Sequence, residues 1–341
     1  MVIISNVYYM LSYAFRSLNA GSFKKMRGEE FENLHELFAE IIIQGLQKQL
    51  KRGLPHKYNA TSEELSTLRG KIDINTSVRS YSMVRRKLVC EYDEFTEDTH
   101  SNRLIKCALT YLLRQDDVTL ERKHYLKFLR SSLNGVADVS DIKVLPQRSG
   151  GAEYIMLVNI CRFLLDGLLF NTGDGYKMRR WLTDEAMSSL YERFLLEFFK
   201  KHYPHFSARA AKIDWDMEEI PHYMPSMNSD VYLTYEGKTL IIDAKFYSRT
   251  MTEYYGKKKY HSNNLYQIYT YVKNADTAKT GTVSGMLLYA KTDESIVPED
   301  NGNLIGGNTI SVKTLDMTQD FEIIKTQLNS IANALIKQEV T

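Results

Sequence analysis

Hydrophobic residues recur at helical spacing through most of the first half of the chain and give way to short strand-like runs in the second. Val2 to Phe15 is fairly apolar but interrupted by Ser5, Asn6 and Ser12, and no basic stretch precedes it. It is too short for a membrane span and reads as an amphipathic core helix. Glu29 to Arg52 sets Phe31, Leu34, Phe38, Ile41 and Leu46 close to one helical face, and Gly53 and Pro55 supply a stop. Leu65 to Cys90, with Gly70 and the branched Ile72, Ile74 and Val78, predicts strands and connections. Helical spacing returns over Asn102–Arg114 through Leu104, Ile105, Ala108, Leu109 and Leu112, then over 117–133 and 154–169. The polar run Asp98–Arg103 reads as a helix cap. The turn-rich segment from Asn171 to Gly175 predicts a division there, giving domains over 1–172 and 173–341.

Residues 184–201 form a predicted helix, with Thr183 as N-cap and Asp184 and Glu185 at the positive end of its dipole. Met187, Leu190, Tyr191, Phe194, Leu195 and Phe198 supply its buried face. Strands are predicted at Arg209–Trp215, Asp230–Tyr235 and Leu240–Lys245, a helix at 264–274, strands at 282–290 and 308–313, and a last helix at 318–338. The fold class is therefore α/β (α+β overall). A mainly helical N-terminal domain with a small β region precedes an α-β-β-β-α-β core with a mixed sheet.

Composition narrows this picture in only a few places. The 341 residues are 43% hydrophobic and 25% charged, as in ordinary globular domains. A net charge of +2 means that any nucleic-acid contact must rest on local basic groups or on a partner. Such groups occur at Arg85–Lys87, Arg179–Arg180 and Lys257–Lys259. For the last, a phosphate contact and a solvated loop are both open readings. Cys90, Cys107 and Cys161 are too scattered for a zinc site or a disulfide framework and point to a reducing cytoplasm. His202, His205 and His222 have no metal-type spacing. Neither a G-x-x-x-x-G-K-[ST] loop nor a G-x-G-x-x-G run occurs, so this chain is not expected to bind a nucleotide through a P-loop.

The chemistry concentrates between Asp230 and Lys245. Glu236 and Gly237, set between two strand-like runs, predict a two-residue hairpin turn. Tyr235 then faces Lys238, and stepping outward along both strands brings Asp230 opposite Asp243. Directly paired side chains stand about 4.5–5.5 Å apart at Cβ, where like charges repel unless a cation lies between them. Alternation puts Asp243 and Lys245 on one face. Phosphodiester hydrolysis needs an activated water and neutralisation of charge on the phosphate. Mg²⁺ (or Mn²⁺ in its place) held by Asp230, Asp243 and the Ala244 carbonyl, with Lys245 orienting water or offsetting phosphate charge, would serve both. The competing reading is a solvated surface hairpin. The apolar run Leu240–Ile242 leading into Asp243 argues for a site.

Asp230, twelve intervening residues, then Asp243, Ala244 and Lys245, resembles the PD-(D/E)XK nuclease motif, with Ser229 where its proline usually stands. The resemblance implies a restriction-endonuclease-like core. It makes Glu192, on the preceding helix, and Gln267, on the following one, candidate site residues; each also reads as a solvated polar side chain. A narrower resemblance runs along nearly the whole chain. The segments Asn6–Phe15, Leu68–Asp73 and Tyr92–Arg103, in that order before the nuclease motif, resemble McrC-family proteins, the nuclease subunits of McrBC-type restriction systems. It implies Mg²⁺-dependent cleavage of double-stranded DNA carrying modified cytosine. It also implies an N-terminal half that docks into an McrB-like AAA+ GTPase ring and stimulates it. GTP would be bound by that partner, and a second copy of the chain would serve double-strand cleavage. Two other readings remain open: a stand-alone nuclease of repair or processing, and a docking protein whose site has decayed.

Overall fold

In the computed structural model, which describes residues 4–15, 18, 31–139, 151–169, 184–246, 251–254, 257–291, 298 and 300–337, the chain forms two compact units. One comprises Met1–Leu34 with Asp166–Thr341, the other His35–Leu165. The expected single cut after residue 172 thus differs from this division over residues 1–34 and 166–172. The first helix, α1 (Ile4–Ala14), packs with the C-terminal unit. The turn-rich segment 171–175 and Thr183 lie outside the described residues, as do Arg179 and Arg180. Among the described residues, no helix is long and apolar enough to cross a membrane.

The unit His35–Leu165 is built from α2 (Leu34–Arg52), β1 (Lys57–Leu65), β2 (Lys71–Ile72), α3 (Ile74–Arg79), β3 (Leu88–Thr96), α4 (His100–Leu113), α5 (Leu120–Ser131) and α6 (Ala152–Leu169). Its sheet is antiparallel in the order β1-β3-β2. Branched residues at 74 and 78 suggested strand, but the segment is the short helix α3. The Asp73 carboxylate accepts from Thr76 N at 3.0 Å, and this cap outweighs the β preference of Ile74 and Val78. Gly70, at φ +68°, has Glu91 O and the Tyr92 backbone where a Cβ would lie, so the turn into β2 admits no side chain. The cap expected near Asp98–Arg103 is present: Thr99 Oγ1 accepts from Asn102 N at 3.1 Å. Asn102, wholly buried, donates to Pro55 O and Glu97 O and accepts from Tyr154 Oη at 2.7 Å. His35 is held the same way, between Asp117 at 2.6 Å and Tyr111 at 2.9 Å.

The other unit holds a six-stranded mixed sheet. Its elements are α7 (Asp184–His202), β4 (Arg209–Ile213), β5 (Met227–Tyr235), β6 (Lys238–Lys245), β7 (Thr252–Tyr254), β8 (Lys257–Lys259), α8 (Ser262–Ala275), β9 (Val283–Lys291), β10 (Asp300–Ile305), β11 (Asn308–Asp316) and α9 (Phe321–Lys337). Sheet order is β10-β11-β9-β6-β5-β4, with β6, β9 and β11 parallel and the other pairs antiparallel. The α-β-β-β-α-β order expected from the pattern is present; β7, β8 and β10 were not anticipated, and Lys257–Lys259, read from the sequence as a loop, is strand β8. Helix α8 crosses between the parallel β6 and β9 and buries Ile268, Tyr271 and Val272 against Ile241, Leu287 and Ile310. Helices α7 and α9 also pack on strands of this sheet. Asn6 on α1 is fully buried and donates to Met317 O at 3.0 Å and Gln319 O at 2.8 Å, while Tyr9 stacks on Phe321 at 4.4 Å. Periodicity made α1 a core helix without showing which core.

Candidate active site

The site is assembled by a hairpin whose register its turn dictates. Glu236 and Gly237 both have positive φ, 45° and 78°, the type I′ geometry that matches strand twist. The pairing runs from Tyr235↔Lys238 out to Val231↔Ile242, as the sequence predicts. The ladder ends there, and the expected direct pair Asp230↔Asp243 is not part of it. On the other side of β5, Arg209 pairs with Tyr232 and Ala211 with Ser229, so β5 carries one more residue than β4 at this point. Such a bulge re-aims the strand locally. Asp230 Oδ2 instead accepts from Ala244 N at 2.7 Å. Ser229, in the place of the motif's proline, is tied to β4 through Ala211 N and O, each at 3.2 Å.

Asp243 is 2% exposed, beside Leu287 of β9 in the parallel register. Its Oδ2 has Lys245 Nζ at 2.7 Å, and this buried carboxylate oxygen keeps further acceptor capacity. Lys245 Nζ also donates to Gln267 Oε1 at 3.1 Å, and Gln267 Nε2 donates to Tyr271 Oη at 2.9 Å. Helix α8 thereby sets the lysine through Gln267. Glu192, on α7, accepts from Ser188 Oγ at 3.1 Å and lies within the electrostatic reach of Asp243 and Lys245. All five side chains singled out from the sequence are thus drawn into one cluster.

The cluster is crowded with negative charge. Burial, then the charges of Asp243 and Glu192, push the Asp230 carboxyl up to about 7; the Ala244 amide and Lys245 oppose the shift. Burial also raises Asp243, against the attraction of Lys245. Glu192 is raised by burial too, with Ser188 and Lys245 opposing. Among the described residues three carboxyls face one ammonium, and each ionised form is disfavoured without added positive charge. Among the described residues no three His, Cys, Asp or Glu side chains stand as a metal-ligating group, so side-chain ligands would come from the Asp230–Asp243 pair. Hard oxygen donors, one with unused acceptor capacity, and an excess of negative charge fit a divalent cation such as Mg²⁺. The sequence reading missed Ser188 and Tyr271, yet both stand four residues from their partners on a helix. That spacing would have found them.

Fold and cluster together define a mixed α/β protein with an acid–acid–lysine site where β6 ends. The chain belongs to the family of McrBC 5-methylcytosine restriction system components, whose model matches residues 5–290. It is 26% identical, over 98% of both chains, to the type IV methyl-directed restriction enzyme EcoKMcrBC of Escherichia coli K12. Among solved structures, a half-complex from a tetradecameric assembly of Thermococcus gammatolerans McrB AAA+ hexamers with bound McrC aligns with 97% of this chain and 76% of its own. Identity there is 17% and the TM-score 0.49. A second structure, the Thermococcus gammatolerans McrBC complex, aligns with 57% of this chain and 56% of its own, at 19% identity and a TM-score of 0.39.

Proposed function

We propose that this restriction-system component is the DNA-cleaving subunit, hydrolysing phosphodiesters at Asp230, Asp243 and Lys245. The observation that carries the reading is the convergence of these groups with Glu192 and Gln267 on one buried cluster, with Asp230 held near 7. A structural cluster would pair its charges; among the described residues this one leaves negative charge in excess. Asp230 and Asp243, with the Ala244 carbonyl, are the groups to hold Mg²⁺, which supplies a more acidic bound water and charge neutralisation on the phosphate. Lys245, fixed by Asp243 and Gln267, orients the attacking water and offsets charge on the non-bridging oxygens. Water oxygen bonds to phosphorus, one P–O ester bond breaks, and the proton passes to the leaving oxygen. In this reading Glu192, whose carboxyl burial raises, holds a proton near the attacking water.

The name of the Escherichia coli relative includes methyl direction, and we extend that to this chain: the substrate is duplex DNA carrying modified cytosine, presented by an McrB-like AAA+ GTPase ring. GTP belongs to that partner. The unit His35–Leu165 is the docking part, and it exposes Tyr58, Leu68, Tyr81, Val84 and Phe95 on or beside its small sheet. A second copy of this chain supplies the cut in the opposite strand. The test is cleavage of 5-methylcytosine DNA by the full chain with its GTPase, GTP and Mg²⁺, against Lys245→Ala. Loss of cutting with GTP turnover retained supports the reading. Equal cutting by the variant refutes it, and full activity without the GTPase marks a stand-alone nuclease.

A further inference from the structure

Strand β4 is an edge of the six-stranded sheet, and a groove of about 530 Å³ lies between it and the end of α8. Arg209, Lys212, Trp215, Tyr232 and Asn274 are among the residues that line it. The groove shares the face of the sheet that carries the acidic cluster. Tyr232 pairs with Ile241 and packs on the core that holds Leu287, the neighbour of Asp243 in the parallel register. Asp230 stands two residues from Tyr232, about 7 Å along β5. Arg209 is the partner of Tyr232 across the strands, where Cβ atoms lie about 4.5–5.5 Å apart. Its guanidinium carbon is 4.5 Å from the centre of the Tyr232 ring, and Nη1 donates to Ser207 O at 3.4 Å.

Arg209 is exposed, and among the described residues no carboxylate pairs with it. Lys212 differs: Asp214 Oδ1 stands 3.7 Å from its Nζ, and Asp216 lines the same groove. A guanidinium whose flat face rests on a tyrosine keeps its N–H edge in solvent, where two parallel donors match two oxygens of a phosphate. The stacking also fixes the side chain beforehand, so less freedom is lost on binding. The neighbouring site needs such a cation. Among the described residues Asp230, Asp243 and Glu192 outnumber Lys245, and a polyanion drawn to them requires positive charge alongside. One DNA strand carries a phosphate for about every 3.4 Å of axis, so a strand with one phosphate at Asp230 and Asp243 brings a neighbouring one within reach of Arg209. We infer that Arg209, shelved on Tyr232, binds a backbone phosphate adjacent to the scissile one. This deepens, and rests on, the nuclease reading above. The contact is to backbone and carries no base preference.

The test measures affinity for duplex DNA without divalent cation across a salt series, using the full chain with its GTPase partner. Arg209→Gln removes the charge and Arg209→Lys keeps it. Each phosphate contact adds about 0.9 to the slope of log affinity against log salt. Arg209→Gln should lower that slope by about 0.9 and weaken binding by about tenfold, equally for methylated and unmethylated DNA. Arg209→Lys should keep the slope and lose less affinity than the Gln variant. An unchanged slope in Arg209→Gln overturns the assignment, as does equal loss in both variants, which marks a structural role. A Gln variant that loses the GTPase but not the slope assigns Arg209 to the protein partner instead and also overturns it. Because no cleavage is read, failure of the nuclease reading is seen separately, as a wild-type chain that binds DNA but never cuts it once Mg²⁺ is supplied.

Discussion

Two aspartates of the same unit, Asp276 after α8 and Asp243 at the end of β6, are 4% and 2% exposed, yet burial leads to opposite results. Burial pushes Asp276 up, but donors more than offset it: Asn308 Nδ2 at 2.7 Å, Gly281 N at 2.9 Å, and Thr280 N and Oγ1 at 3.0 Å. Its carboxyl ends below the ordinary value. Among the described residues Asp243 has only Lys245 beside Oδ2 and stays raised, and Asp230 next to it rises to about 7. The first arrangement fastens a turn to β11. The second keeps acceptor capacity and excess charge in a buried place, and such unfinished electrostatics mark a site. Asn102 and His35 in the other unit follow the Asp276 pattern, with every main contact made inside the fold.

The two aspartates should differ most in what their loss does to stability. Asp276→Ala leaves four donors without their acceptor and should cost about 3–4 kcal/mol, seen in thermal or urea unfolding, with cleavage per folded molecule unchanged. Loss of cutting without loss of stability would contradict the structural role given to it.

Asp230→Asn should act in the opposite sense on the metal-free protein. A carboxyl raised from 3.8 to about 7 on folding destabilises the native state where it must ionise. The penalty is full above pH 7, shrinks as pH falls through the folded value, and is gone below 3.8, where both states are protonated. With chelator present, the Asn variant should therefore melt several degrees higher at pH 8 and level with wild type near pH 3.5. An equal or lower melting temperature at pH 8 would remove the crowding argument. Asp243→Ala is not expected to share this gain, because it also strips Lys245, 13% exposed, of its counter-charge.

The smallest effect concerns Gln267, which sets the lysine without meeting the substrate. Gln267→Ala should lower cleavage by about tenfold, or about 1.4 kcal/mol, chiefly in kcat. Gln267→Glu, which keeps an oxygen for the ammonium, should recover most of it. A variant with a raised KM and normal kcat would point to substrate binding instead.

Much of this was legible in the chain because a two-residue turn leaves a hairpin no freedom of register. Given Glu236 and Gly237, the partners of Val231 to Tyr235 follow, and alternation puts Lys245 beside Asp243. What the turn does not control was lost. The extra residue of β5 near Asp230 depends on β4, an edge strand reached through a long connection, and it replaced a direct carboxylate pair with the Ala244 amide contact. The segment at 74–79 turned helical through one capping carboxylate, a local bond that β-branched composition conceals. Placement of α1 was beyond reach because a helical face shows what must be buried and not against what. Asn6 finds the carbonyls of Met317 and Gln319 some 300 residues along the chain.

The proposed cutting of DNA rests on Asp243 and its neighbours. Its most direct measurement is single-turnover cleavage of 5-methylcytosine plasmid by Asp243→Asn in the full chain, assembled with its GTPase, GTP and Mg²⁺, beside a GTP-hydrolysis assay on the same samples. The account predicts cleavage slowed by about a thousandfold or more, with GTP turnover at the wild-type rate. A variant that cuts within a few-fold of wild type while folded and bound to its partner would contradict it.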